Sequence, residues 1–332
     1  MKKNILILCG GGHSEHDISL ISSQYIYDSL KDNDQYNVYH VTILHDGRRI
    51  DREGKEVELR RAGEIAWKQG SKKVELHYAI PCIHGPPGET GEIQAVFELM
   101  GLPYLGCSPE ANILCFNKVS SKLWFDALNI KNTPFLFLDE LTTATVQKAH
   151  DFFDLHQGAF IKAASQGSSV GCYPVTKKDQ LQQYLKKAFE LSQYVLVEKT
   201  LKARELEIAA FEHNGKLYIS HPGEIICPTS FYSFEEKYDE KSHTTTDVEA
   251  KNLTINQVEK MREFARKAFT GLKLSDLSRI DFFLTEDGEI FLNEINTFPG
   301  MTPISMFPKM MENMGIPFKT YLSERIQSNA RS

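Results

Sequence analysis

The sequence has 332 residues, of which 41% are hydrophobic and 25% are charged, and its formal net charge is −6. This composition is typical of a globular protein with a sizeable core, and the length predicts two or three domains. The sequence contains no basic block and no Lys/Arg-rich amphipathic stretch. We therefore expect neither a nucleic-acid-binding protein nor a membrane-surface protein.

The six cysteines are scattered along the chain without a C-x-x-C pair, at positions 9, 82, 107, 115, 172 and 227. Their spacing argues against a zinc site or a disulfide framework. The N-terminus passes from Met-Lys-Lys directly into a short apolar strand, without the pattern of a signal peptide, and no run of 18 apolar residues follows. The sequence thus predicts a protein of the reducing cytoplasm.

The first part of the chain, residues 1–107, alternates between strand and helix patterns. Strands are predicted at 4–9, 37–44 and 74–85, and helices at 19–30 and 93–101. Ser14 and Asp17 have the spacing of a capping box at the start of the first helix. Because successive βαβ units form parallel sheets, we expect a parallel sheet flanked by helices.

Two further units follow, at residues 108–203 and 204–332. In the second unit, two strands surround a Gly/Ser loop, GSSVG, at 167–171. The third unit contains a long helix with a Thr-x-x-Gln capping box at 254–257 and closes with a hairpin. A polar, poorly periodic segment at 231–252 has the length of an active-site lid, although a disordered insertion would have the same composition.

The closing hairpin carries an unusual row of polar side chains. Counted outward from a two-residue Asp-Gly turn at 287–288, Asp281 lies opposite Glu294. Arg279 then lies opposite Asn296 on the same face. Two facing carboxylates need a shared proton, a neighbouring arginine or a hard divalent cation, unless the hairpin is an ordinary surface hairpin with solvated charges. The same register assigns the other face to the core, with Ile280, Phe282, Leu284, Phe291, Asn293 and Ile295.

Three loop segments have the composition of an anion-binding or nucleotide-binding site, and each also has a structural interpretation. GSSVG, with Lys162 upstream, can cover a phosphate or can be a mobile turn. VEKTL at 197–201 can meet an adenine edge or can be a strand end with solvated charges. HGPPGETGEIQ at 84–94 leads into a helix whose N-terminus can bind an anion, or is a structural turn. Neither a Walker A loop nor the G-x-G-x-x-G fingerprint is present.

Together these segments resemble the D-alanine–D-alanine ligases of the ATP-grasp superfamily. The resemblance covers nearly the whole chain, with matches at GGGHSEHDISLISS, HGPPGETGEIQAVFELMGLPYLG, NKVSSK, GSSVG, VEK, FYSFEEKY and RIDFF…LNEINTFPGMT. It implies a mixed α/β and α+β architecture with the ATP-grasp fold. The implied parts are a Rossmann-like parallel-sheet domain for the first substrate (1–107), a central lobe with the phosphate loop (108–203), and a C-terminal lobe with the metal site, the lid loop (231–252) and the second-substrate site (204–332).

The resemblance implies a reaction. ATP phosphorylates the carboxylate of one D-alanine, and the amine of a second D-alanine attacks the acyl phosphate to give the dipeptide, ADP and phosphate, for peptidoglycan precursors. ATP is then the co-substrate, two ions of Mg²⁺ or Mn²⁺ are the cofactors, and the protein is a homodimer. A D-alanine–D-serine or D-alanine–D-lactate ligase and a non-catalytic nucleotide-binding relative are the alternatives.

Roles for individual residues are also implied by the resemblance. The implied metal ligands are Asp281, Glu294 and Asn296. The implied nucleotide contacts come from Lys118, Lys162 and Lys237 at the phosphates, from Glu198, Lys199 and Leu201 at the adenine, and from Glu205 at the ribose. A metal ion bound by these residues would offset the repulsion between the facing carboxylates of the closing hairpin.

The same resemblance implies the residues that handle the two amino acids. Glu15 grips the ammonium of the first D-alanine, although without the family it would be interpreted as a helix cap. Ser168 and Tyr238 link this carboxylate to the lid, and Tyr238 favours D-alanine as the second substrate. The oxyanion is stabilised by Arg279 and the backbone N–H of Gly300. His84 lies near the first substrate's carboxylate, and Ser305 binds the second substrate's carboxylate.

Overall fold

The computed structural model describes residues 2–11, 14–226, 244–302 and 304–331. The helices of these ranges are α1 His16–Leu30, α2 Glu92–Leu99, α3 Pro109–Phe116, α4 Lys118–Ala127, α5 Thr143–His156, α6 Leu181–Phe189, α7 Ile255–Gly271, α8 Met306–Asn313 and α9 Phe318–Asn329. The strands are β1 Lys3–Gly10, β2 Tyr36–Ile43, β3 Arg49–Asp51, β4 Val57–Arg60, β5 Glu64–Trp67, β6 Lys73–Glu75, β7 Tyr78–Cys82, β8 Phe135–Leu138, β9 Ala159–Ala163, β10 Cys172–Val175, β11 Val195–Glu198, β12 Ala203–His213, β13 Lys216–Ile219, β14 Gly223–Ile226, β15 Thr245–Asp247, β16 Leu277–Thr285 and β17 Ile290–Asn296. Among the described helices, none combines the length and the apolar character that crossing a membrane requires.

The N-terminal unit confirms the predicted parallel sheet. Its strands lie in the order β3-β2-β1-β7, and β1 pairs in parallel with both β2 and β7. The apolar residues of β1 are fully buried, as expected for a central parallel strand. A small antiparallel sheet of β4, β5 and β6 was not predicted. The predicted capping box of Ser14 and Asp17 was wrong, because the N-cap of α1 is Glu15.

The central unit is a four-stranded antiparallel sheet in the order β10-β9-β11-β8. Apolar side chains of α5 and α6 pack on this sheet and form its own hydrophobic core. The predicted Gly/Ser loop joins β9 to β10. Within it, Ser168 and Ser169 have φ values of +48° and +61°, a left-handed conformation that non-glycine residues rarely adopt.

The C-terminal unit is built on a sheet in the order β15-β14-β12-β16-β17, with β13 paired to β12. One face packs against α3 and α7. The predicted capping box is present at the start of α7. The other face packs against α8 and α9, which share one hydrophobic core with α1 and the N-terminal sheet. The two sheets are thus joined through a continuous apolar core.

The closing hairpin has the predicted pairing at its polar row, but its turn differs from the prediction. Asp281 lies opposite Glu294, as expected. Nearer the tip, Leu284 pairs with Ile290 and the Thr285 N–H donates to the Glu289 carbonyl at 3.0 Å, so three residues remain at the tip instead of two. A β-bulge at Asn293 restores the predicted offset before the polar row begins.

The bulge changes which side chains of β17 reach the core. The prediction that Phe291 and Asn293 share the core face was wrong. Ile290 and Leu292 join that core instead. Asn293 is half-buried, and its Oδ1 accepts a hydrogen bond from Lys162 of the central sheet.

Candidate active site

The polar row of the closing hairpin is held together by an arginine. The Arg279 guanidinium donates to both carboxylate oxygens of Asp281, through Nε at 2.8 Å and Nη2 at 2.8 Å. Its Nε also lies 3.2 Å from Oε1 of Glu207, the residue opposite Asp281 on β12. Burial alone would lower the pKa of Arg279, but the attraction of Asp281 and Glu207 raises it well above its usual value. The structure thus shows a neighbouring arginine compensating the facing carboxylates, which is one of the three possibilities predicted from the sequence.

The donor set of this face fits a hard divalent cation. Asn296 Nδ2 donates to Asp281 Oδ2 at 3.0 Å, and Glu294 Oε2 lies 3.6 Å from Lys118 Nζ. Mg²⁺ is usually bound through one or two carboxylates together with phosphate oxygens and water, and the carboxylates of Asp281 and Glu294 match that requirement. Within the described ranges, no cluster of three His, Cys, Asp or Glu side chains is placed to hold a metal.

A second charged cluster lies in the central unit, and in this cluster two lysines surround one glutamate. Glu198 Oε1 is 2.6 Å from Lys122 Nζ, and its Oε2 is 2.7 Å from Lys162 Nζ. All three residues are buried, with 2% of Lys122, 2% of Glu198 and 8% of Lys162 exposed. Burial alone would raise the pKa of Glu198, but the two ammonium groups lower it. Burial lowers the pKa of Lys122, whereas at Lys162 the attraction of Glu198 outweighs burial and raises the pKa.

The local structure explains why these side chains converge. Lys162 on β9 lies opposite Leu196 of β11, so Glu198, two residues further on, is on the same face of the sheet. Lys118 and Lys122 are four residues apart on α4 and therefore share one face of that helix. Lys118 reaches Glu294 and Lys122 reaches Glu198, so α4 touches both clusters.

Glu15 joins the N-terminal unit to the Gly/Ser loop. Ser168 Oγ donates a hydrogen bond to Glu15 Oε1. Gly85 and Gly167 lie beside the same carboxylate, and a Cβ atom at either position would come within 2.7 Å of Glu15 Oε2. Two glycines therefore leave the space that the Glu15 carboxylate occupies. The predicted link between Glu15 and Ser168 is present, whereas Tyr238, its third member, lies outside the described residues.

His84 lies where the N-terminal unit meets the C-terminal loop. Its backbone N–H donates to Ser19 Oγ at 2.9 Å, and its Nε2 is 2.9 Å from Ser22 Oγ. Its ring centroid is 6.3 Å from that of Phe298, on the loop that follows β17. The predicted position of His84 at a substrate carboxylate stays a prediction.

The loop after β17 brings Gly300 and Ser305 together. A Cβ atom at Gly300 would lie 2.9 Å from Ser305 Oγ. Ser305 Oγ accepts a hydrogen bond from the Thr302 N–H at 3.0 Å, and Ser305 immediately precedes α8. A helix N-terminus beside a hydroxyl group is a suitable place for a carboxylate.

The remaining predicted nucleotide contacts are spread along the cleft between the central and C-terminal sheets. Lys118 Nζ donates to the Gln166 carbonyl at 2.7 Å, beside the Gly/Ser loop. The Lys199 N–H donates to the Pro134 carbonyl at 3.0 Å, so that N–H is already engaged, and the Lys199 side chain is exposed. Leu201 and Glu205 are half-buried, at the entry to β12 and on that strand. Lys237 and the part of the lid at 231–243 lie outside the described residues.

Sequence reasoning missed three members of the site: Lys122, Glu207 and Asn293. Lys122 follows Lys118 by one helical turn, and Glu207 follows Glu205 by two residues in a strand, so periodicity could have placed both on the site-facing side. Asn293 is displaced by the bulge, and the turn sequence carries no sign of that bulge.

Comparisons with known proteins cover both halves of the chain. The family described as D-ala D-ala ligase N-terminus matches residues 4–107, and D-ala D-ala ligase C-terminus matches residues 125–327. A D-alanine--D-alanine ligase of Vibrio campbellii is 51% identical over 337 residues, covering 99% of this chain and 99% of the relative. A D-alanine--D-alanine ligase of Shewanella amazonensis is 50% identical over 327 residues, covering 98% and 97%.

Solved structures agree with the sequence relatives. The crystal structure of D-alanyl-alanine synthetase A from Vibrio cholerae is 49% identical and superposes with a TM-score of 0.94, covering 98% of each chain. The VanG D-Ala:D-Ser ligase from Enterococcus faecalis is 24% identical with a TM-score of 0.86 over 98% of this chain and 99% of that one, which shows the fold alone. The predicted fold class is thereby confirmed, and the domain boundaries at 107 and 203 stay predictions.

Proposed function

Since the chain belongs to the D-alanine–D-alanine ligase family, we propose that it joins two molecules of D-alanine in an ATP-dependent, ADP-forming reaction. Two family matches and relatives about half identical over nearly the full length support this assignment. The main structural support is that side chains of all three units contact one another. The contacts are Glu15 with Ser168, Lys118 with Glu294, and Lys162 with Asn293. We further propose that the protein acts as a cytoplasmic homodimer in peptidoglycan precursor synthesis.

The first step of the proposed reaction transfers the terminal phosphoryl group of ATP to a D-alanine carboxylate. Lys118 and Lys162 stand at the Gly/Ser loop, where their ammonium groups can bind phosphate oxygens. Mg²⁺ or Mn²⁺, as two ions held by Asp281, Glu294 and Asn296, would neutralise the charge that develops on those oxygens. The nucleoside would bind along Glu198, Lys199, Leu201 and Glu205, and Lys237 would add a third lysine at the phosphates.

The first amino acid would be held by the N-terminal unit. The Glu15 carboxylate binds the ammonium group of D-alanine, and the Ser168 hydrogen bond orients it. His84 supports the carboxylate that accepts the phosphoryl group. Tyr238 would complete the contact between Ser168 and the lid. In this proposal the acyl carboxylate points towards the phosphate-binding lysines.

In the second step the amine of the second D-alanine attacks the acyl phosphate, and collapse of the tetrahedral intermediate breaks the C–O bond to phosphate, which leaves as the amine loses its proton. The tetrahedral intermediate carries a new negative charge, which needs donors held in place beforehand. Arg279, fixed by Asp281 and Glu207, and the backbone N–H of Gly300 would stabilise that oxyanion. Ser305, at the start of α8, would bind the second substrate's carboxylate.

The direct test is coupled ADP release with ATP, Mg²⁺ and D-alanine, followed by identification of the product when D-serine and D-lactate compete. We expect D-alanine-dependent ADP release and D-alanyl-D-alanine as the main product. No D-alanine-dependent release would indicate a nucleotide-binding relative without catalysis. A mixed dipeptide or a depsipeptide as the main product would indicate the D-serine or D-lactate variant.

A further inference from the structure

The Lys162 ammonium is held by two protein groups. Its Nζ lies 2.7 Å from Glu198 Oε2 in an ion pair and donates a hydrogen bond to Asn293 Oδ1 at 3.2 Å. An ammonium carries three N–H donors, so Lys162 keeps donor capacity for a ligand beside these two contacts with the described residues.

Lys122 in turn fixes the carboxylate of Glu198. Its Nζ lies 2.6 Å from Glu198 Oε1 and also donates to Asn132 Oδ1 at 3.3 Å and to the Thr133 carbonyl at 3.2 Å. Two hydrogen bonds and one ion pair surround the buried Lys122 ammonium, so its contacts are made within the protein. A buried lysine placed in this way acts on its neighbour and not on a substrate.

Asn293 holds Lys162 from the opposite side of the cleft. It is the extra residue of the β-bulge, between Leu292, which faces the core, and Glu294 of the polar row, and its side chain lies on the side of Lys162. The bulge therefore gives Lys162 an acceptor on the C-terminal sheet. Lys162 is thus held from both sheets that bound the nucleotide cleft.

We propose that Lys122 and Asn293 are positioning residues that hold the Lys162 ammonium where it binds a phosphate oxygen of ATP. Lys122 acts through Glu198, and Asn293 acts directly. This inference rests on the proposed function, because it takes ATP as the ligand of Lys162. Loss of either residue should leave Lys162 charged but should shift its ammonium away from the phosphate oxygen.

The test is a double-mutant cycle on nucleotide binding, measured by calorimetry with Mg²⁺ and a non-hydrolysable ATP analogue. Lys122→Met and Asn293→Leu should each raise the Kd about tenfold, the size of one lost well-placed contact. In a Lys162→Met background the same substitutions should change the Kd less than about twofold, because the group that they position is gone. Lys148→Met, at an exposed position of α5 in the same unit, is the matched control and should bind like the parent.

Unchanged binding in both single variants would overturn the proposal. So would an equal loss with and without Lys162, because a general distortion of the lobe acts on both backgrounds alike. Thermal unfolding checks folding, and if Lys122→Met does not fold, the half-buried Asn293 decides the question. Turnover is not needed for the cycle, so a parent that binds the analogue but releases no ADP would refute the proposed function and leave this inference standing.

Discussion

The two charged clusters of the cleft have opposite excesses of charge. Among the described residues at the C-terminal sheet, ion pairs join three acids to two bases: Glu207, Asp281 and Glu294 to Arg279 and to Lys118 of α4. In the central sheet, two bases face one acid: Lys122 and Lys162 against Glu198. An acidic excess attracts cations and a basic excess attracts phosphates, so the pair is complementary to a metal nucleotide.

The clusters also differ in how firmly they are fixed. Arg279 is held by a planar two-point contact with Asp281, which defines direction as well as distance. Lysine ammonium groups lack that planar geometry, and the central cluster instead relies on deep burial and several acceptors. The α4 helix, which supplies Lys118 and Lys122, couples the two arrangements.

Breaking the acidic cluster should have the largest effect. Asp281→Asn keeps the size of the side chain but removes a proposed metal ligand and one of the two carboxylates that pair with Arg279. We expect D-alanine-dependent ADP release to fall about 1,000-fold, or about 4 kcal/mol in transition-state free energy. Asp139→Asn, at an exposed position, should behave like the parent. If Asp281→Asn keeps more than a tenth of parental turnover, Asp281 does not have this role.

Breaking the basic cluster should act mainly on stability. Glu198→Gln leaves two buried ammonium groups without their counter-ion, and we expect the free energy of unfolding to fall by about 3 kcal/mol at neutral pH. Because the folded-state pKa of Glu198 is lowered, its contribution is complete above the pKa of an unfolded glutamate, about 4.3, and is lost as pH falls through the lowered value. The gap between parent and variant in denaturant titrations should therefore narrow below about pH 4. A gap that stays constant with pH would contradict this account.

Glu15 should show the smallest effect, and its described side-chain partner is the Ser168 hydroxyl group. In Gly167→Ala the new methyl group would displace Glu15 Oε2. We expect the KM for D-alanine to rise about tenfold while the KM for ATP stays within about twofold. Gly271→Ala, which creates a close contact with Leu128 away from the cleft, controls for strain alone. Equal rises in both KM values would indicate a distorted loop instead.

Sequence reasoning placed the polar row correctly although it misjudged the turn. Asp281 and Glu294 face each other because two deviations cancel, a longer tip and the bulge at Asn293. Turn chemistry indicates where a hairpin reverses, but a bulge depends on how the strand packs against its neighbours, and no local motif encodes it. Phe291 is buried, but its predicted placement on the face of Phe282 failed for the same reason.

Other parts of the fold followed directly from pattern. The β1 strand is a continuous apolar run, and the capping box at Thr254 is a local signal, so both were predictable. Lys122 was not, because an isolated lysine in a helix is usually a surface residue, and its burial depends on Glu198, 76 positions away in the chain. The strands at 57–75 are short and partly polar, which leaves little periodicity to read.

The bulge at Asn293 also lies between the carboxylate pair of the hairpin and the hairpin tip. Residues 286–288 lie beyond it, and the carboxylates lie before it, so the register of the acids is set locally rather than counted from the reversal. A peptide grafted into the tip would lengthen a surface projection while the acidic pair kept its place. The same hairpin is therefore tolerant of insertion at one end and intolerant of a single-residue deletion at the other.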